Sequence, residues 1–83
     1  MSLEKHSLLK EFPDHHHTIR HLKMHDLHFA KQFDEYHEID HEVYTIESGE
    51  KNTTDQYLEE QKRRRVFLKD ALFQRVQQEE SSQ

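Results

Sequence analysis

The sequence contains no cysteine, and only one glycine and one proline in 83 residues. Without cysteine there is neither a disulfide staple nor a thiolate metal site to compensate for a small core. Hairpins and sandwiches need turn residues every ~8–12 positions, so the shortage of Gly and Pro argues against a β-rich fold. A chain whose lone glycine is Gly49 also has no glycine-rich phosphate loop. No apolar run approaches the ~18 residues of a membrane span. Met1 to Phe12 has no secretory core either, because Glu4, Lys5, His6 and Lys10 interrupt it. The expectation is an unprocessed, cytoplasmic protein with no membrane contact.

What is present points to helices. Hydrophobic residues make up 31% of the chain, enough for one thin core in a single domain, 1–83. A cleft walled on all sides does not follow from so little apolar material. The charged fraction of 35% is high, yet eight aromatics recur at helical intervals, which a solvating tail has no reason to keep. The formal charge of -5 means that any polyanion must be bound locally.

Pro13 separates a short amphipathic lead, Leu3 to Phe12, from a helix predicted over 14–24, with Ile19 and Leu22 as its apolar side. Asp26 is placed to accept hydrogen bonds from the first amides of a long helix predicted over 27–47. The apolar residues of that helix are Phe29, Phe33, Tyr36, Ile39, Val43 and Ile46. Their steps of three and four cover an arc of roughly 140°, one buried face. Gly49 follows, where a left-handed residue closes a helix, and Thr53 with Gln56 has capping-box spacing. The predicted loop is 48–53 and the third helix 54–78, with 79–83 a frayed tail. Its stripe reads Leu58, Gln61, Arg65, Leu68, Leu72 and Val76, with two polar members in the middle.

So short a connection between helices of ~33 and ~37 Å leads to antiparallel packing. The fold class is therefore all-α: a long antiparallel, coiled-coil-like helical hairpin preceded by a short N-terminal helix. Charge agrees, since residues 27–48 hold one Lys and six acids while residues 54–78 hold six basic and four acidic side chains. With the turn near residue 50, Asp34 to Glu42 should lie opposite Glu59 to Phe67, which sets acids against Lys62, Arg63, Arg64 and Arg65. Such exposed pairs contribute only ~0.2–1 kcal/mol each, so they bear on register more than on stability.

Phe12-Pro13, Ile19, Leu22-Lys23, the Phe29 and Phe33 pair, Ile39-Asp40-His41-Glu42-Val43, Gly49, and Lys62 with Arg65 ahead of Leu68-Lys69-Asp70 follow in an order that resembles the YdcH-like family. These are small bacterial proteins carried as a domain of unknown function. The resemblance runs from about Phe12 to Val76. It departs at Gln61, Val66 and Ala71, where Leu, Leu and an acid are expected, which weakens the pairing seam. It implies a helical hairpin and brings no catalytic residues.

Three constellations could carry chemistry. His37-Glu38-Ile39-Asp40-His41 matches H-E-x-x-H, in which two histidines one turn apart hold zinc and the glutamate activates water. A hydrolase also needs a third ligand, an open coordination position and a shielded cleft, and both histidines fall on the solvent side of the predicted wheel. Glu59 or Glu60 would be the acids able to approach His41 across the hairpin. His15, His16, His17, His21, His25 and His28 are dense enough for a metal tract, but no carboxylate or thiolate completes a set, and a wet helix face is the simpler account. Lys62 to Arg65 is a basic run, but four consecutive helical residues spread through roughly 300° and cannot all face one phosphate backbone. The reading is accordingly not an enzyme, with no catalytic residue, cofactor or metal assigned. Weak nucleic-acid binding through Lys62–Arg65 is the alternative function and metal binding through His37 and His41 the second alternative, and both a nucleic acid and a small-molecule substrate are disfavoured.

Phe67 lies ~180° from Leu58 and Val76 on the third helix, with Val66 and Phe73 on its flank. The hairpin seam cannot cover all three. Either the segment before Asp26 folds over them through Leu8, Leu9, Phe12, Ile19 and Leu22, or they meet a protein partner, a second copy in a weak homodimer included. Val66, Phe67 and Phe73 are thus the candidate partner surface of a helical interaction module.

Overall fold

Asp26 interrupts what would otherwise be one long helix, and the chain turns there because this residue serves both flanking segments. The computed structural model describes residues 15–82; the lead from Leu3 to Phe12, with Leu8 and Leu9, Pro13, the expected start at Asp14, and Gln83 lie outside the described residues. Among the described residues there are three helices and no strand: α1, His16–His25; α2, Leu27–Glu47; α3, Asp55–Ser81. The backbone N–H of Asp26 closes α1 on the Leu22 carbonyl at 2.8 Å. Its carboxylate Oδ1 accepts from the Phe29 N–H at 3.0 Å and opens α2. Oδ2 accepts from Arg75 Nε at 2.9 Å, which ties the same corner to α3.

The α2–α3 turn is a Schellman closure. Gly49 N–H donates to the Ile46 carbonyl at 3.2 Å and Glu50 N–H to the Thr45 carbonyl at 3.0 Å. This requires the φ of +86° that Gly49 adopts. The N-cap of α3 is Thr54, whose hydroxyl accepts from the Tyr57 N–H at 3.1 Å, rather than Thr53, because Thr54 holds the extended backbone at the helix entrance. Tyr57 and Lys51 then both donate to the Glu42 carboxylate, at 2.5 and 2.9 Å, and brace the turn against α2.

Phe29, Phe33, Tyr36, Ile39 and Val43 from α2 are buried against Leu68, Leu72 and Val76 from α3, with Ile19 and Leu22 of α1 closing the third side. Ile46 and Leu58 are half-buried near the turn, where the hairpin has no third helix over it. The polar break in the α3 stripe is filled by Arg65, which donates to Asp40 Oδ1 at 3.0 Å; Asp40 is 4% exposed. Arg64 pairs with Glu35 and Lys62 with Glu47, the latter at 3.1 Å. The acidic side of α2 therefore does meet the basic run of α3, with Glu47 extending the paired stretch towards the turn.

α3 runs to Ser81, three residues past the expected end at 78. The added turn is held from α1: His15 Nδ1 and Thr18 Oγ1 both donate to Glu80 Oε2, at 2.7 and 2.8 Å. The tail is helical because α1 gives its carboxylate two partners.

Two expected outcomes test this architecture. A Cβ built on Gly49 meets nothing within 4 Å, so only the left-handed backbone resists substitution. Gly49→Val should lower stability by about 1–2 kcal/mol and Gly49→Asn by clearly less, measured by urea denaturation; equal midpoints would remove Gly49 from this role. Asp40→Leu alone strands Arg65 in the seam and should cost on the order of 1–3 kcal/mol, discounted because Arg65 keeps some solvent, whereas Asp40→Leu with Arg65→Leu should recover most of the loss. A double variant as unstable as the single one would mean that the pair is not what the seam depends on.

Candidate functional site

The outer face of α3 is polar except at one place. Val66 is 56% exposed and Phe67 68% exposed, side by side in the middle of the helix. Phe67 faces away from Leu68, Leu72 and Val76, which fill the hairpin, and its neighbours one turn away on the same face are Arg63 and Asp70, both exposed. The third expected member, Phe73, is half-buried instead. The His15 ring meets it edge-on at 5.9 Å between centroids, because the anchoring of His15 on Glu80 brings the start of α1 over this part of α3. α1 thus covers one end of the sequence-derived surface and leaves Val66 and Phe67 in solvent.

Met24 and Leu27 form a second exposed apolar spot beside Asp26, 78% and 72% exposed. Sequence reasoning assigned them no surface role, although the signal was available: Met24 lies roughly 140° from Ile19 and Leu27 roughly 200° from Phe29, both off their stripes.

The histidine motif is divided between two environments. His41 is exposed, whereas His37 is half-buried, contrary to the solvent-side position expected for it. Its ring packs on Phe33 at 4.4 Å and on Tyr36 at 5.2 Å, and its Nδ1–H donates to the Phe33 carbonyl at 3.0 Å. Phe33 in turn carries Lys23 Nζ over its face at 4.3 Å, so this corner is one means by which α1 is held to α2. Asp34, His37, Glu38 and His41 line an open depression. Among the described residues no group of three or more His, Cys, Asp or Glu is placed to hold a metal ion. No helix among them is long and apolar enough to cross a membrane.

A family model described as "Protein of unknown function (DUF465)" matches residues 29–76, more than half of the chain. YdcH-like proteins belong to this family. The match spans the hairpin from Phe29, the first buried residue of α2, to Val76, the last buried residue of α3. No curated protein and no solved structure matches the chain.

Among the described residues three carboxylates are held below their ordinary range, each with at least one donor from another helix. Asp26 is lowered by the Phe29 amide first and by Arg75 second, Glu42 by Tyr57 and then Lys51, and Glu80 by His15 and then Thr18. Tyr57 and Lys51 are raised in return by Glu42, and Arg75 by Asp26. A carboxylate with a depressed folded value binds protons more readily when unfolded, so its contribution is complete above the unfolded value of ~4 and is lost as pH falls through the folded value. Unfolding by urea should therefore show a stability plateau down to about pH 4–5 and a decline below it. In Glu80→Gln the fall should be shallower, because one of the three groups no longer titrates; an unchanged acid limb would separate Glu80 from the effect.

Proposed function

We propose that this chain, which belongs to the DUF465 family of proteins of unknown function, is a non-enzymatic helical interaction module that self-associates through the outer face of α3. The observation that carries the reading is the exposed pair Val66 and Phe67 on a helix whose opposite face is already filled. Covering a Phe or Val side chain gains about 1.5–3 kcal/mol, and a two-fold arrangement doubles each contact, which offsets part of the association entropy and gives a weak dimer. The surroundings suit a second copy. Arg63 precedes Phe67 by one turn and Asp70 follows it by one, so two α3 helices crossing antiparallel at Phe67 bring the Arg63 of each towards the Asp70 of the other. A helix of another protein with an apolar residue between an acid and a base would fit the same face.

Nucleic-acid binding through the basic run has less in its favour. Lys62, Arg64 and Arg65 each face a carboxylate of α2, which lowers what they can offer a phosphate backbone.

Sedimentation equilibrium from micromolar to millimolar concentration checks the reading. The expected result is a concentration-dependent rise in mass towards a dimer, abolished by Phe67→Asp. Arg63→Asp should weaken the dimer, and adding Asp70→Arg should restore it, since the swapped charges again complement each other. A single monomer mass throughout would overturn self-association. A rise in mass indifferent to Phe67→Asp would place the contact elsewhere.

A further inference from the structure

His17, His21 and His25 stand at successive four-residue steps on α1, within an arc of roughly 80°, and all three are exposed. The rings of His21 and His25 lie together, 4.6 Å between centroids and 42° between planes. We propose that His21 and His25 form a chelating site for one divalent transition-metal ion of the zinc, nickel or copper class, a pair distinct from the H-E-x-x-H histidines. The spacing is that of two ligands on one ion. With a metal–nitrogen distance of ~2.0–2.1 Å and the ring centre about 1.1 Å beyond the nitrogen, two cis imidazoles place their centres roughly 4.5–5.2 Å apart. The structure brings the rings to that separation without an ion, so the ring spacing a chelate needs is already present. Imidazole nitrogen selects these metals over calcium and magnesium, which prefer oxygen donors.

Two protein ligands leave the remaining coordination positions to water, and the cations Arg20 and Lys23 lie nearby on the same short helix, so binding is modest in strength. Its consequence is local. α1 has ten residues, and His15 at its N-cap makes no side-chain capping bond there, so its helicity depends on packing. An ion bridging one turn binds only the helical form and therefore stabilises α1. The His37 and His41 pair has the same spacing, and the Nδ1 bond of His37 leaves its Nε2 open, but the His37 ring is packed on Phe33 and Tyr36, so drawing it towards His41 would cost those ring contacts.

The test uses the full chain carrying no affinity tag, titrated with nickel chloride by calorimetry and with substoichiometric copper(II) while histidine ring resonances are followed by NMR. Copper should broaden His21 and His25 before the other histidines. His21→Ala and His25→Ala should each weaken nickel binding by about ten-fold or more, as expected when a chelate is reduced to one ligand, while His41→Ala leaves it unchanged. Both altered side chains are exposed, so circular dichroism without metal should match the parent chain. Broadening spread evenly over all the histidines, or a nickel isotherm that survives the His21→Ala/His25→Ala double variant, would overturn the site.

Discussion

The fold depends on a polar contact in the middle of an apolar seam. Asp40 is almost wholly covered, and Arg65 is the α3 residue that reaches it from across the hairpin. A covered carboxylate must keep its charge partner, so sliding α3 by one turn along α2, which carries Arg65 away from Asp40, would cost several kcal/mol. Apolar contacts are less particular, because Leu68, Leu72 and Val76 repeat at nearly equal steps and would pack in a shifted register. The pair therefore selects one register, and Arg64 with Glu35 and Lys62 with Glu47 follow from it on the rim.

Once the register is set, the ends follow. The turn is closed by Gly49 and braced by Glu42 with Tyr57 and Lys51, while the opposite end is gathered at Asp26. That residue closes α1, opens α2 and receives Arg75 from α3. α1 is then fixed at both its ends, by Asp26 at one and by His15 and Thr18 on Glu80 at the other, with Ile19 and Leu22 buried between them. The three carboxylates whose protonation is suppressed each join elements at the ends of the hairpin, so groups that locate the helix ends also set the response to acid.

The position of α1 decides what remains open to a partner. It rests on the distal half of α3, where His15 covers Phe73, and does not reach Val66 and Phe67. In a chain with so little apolar material, an aromatic left outside the core is the feature that the proposed self-association draws on. The basic run, the other conspicuous surface feature of the sequence, is largely engaged by the acids of α2.

The order of elements, the buried stripe of α2, the N-cap at Asp26 and the left-handed turn at Gly49 could be read from the sequence, because each rests on local spacing and on one residue's conformational range. The broad facing of acidic and basic stretches was legible too, since a short loop leaves two long helices one way to pair. What tertiary structure decided were matters of distance between residues far apart in sequence. Periodicity showed that Phe67 and Phe73 cannot share the hairpin seam, but only the docking of α1 determined that Phe73 is covered and Phe67 is not. The helical state of residues 79–81 likewise depended on His15 and Thr18 more than sixty positions away, and the half-burial of His37 on the ring of Phe33, itself capped by Lys23 of another helix. Spacing along one helix carries the identity of a face; which part of that face is covered depends on where another helix comes to rest.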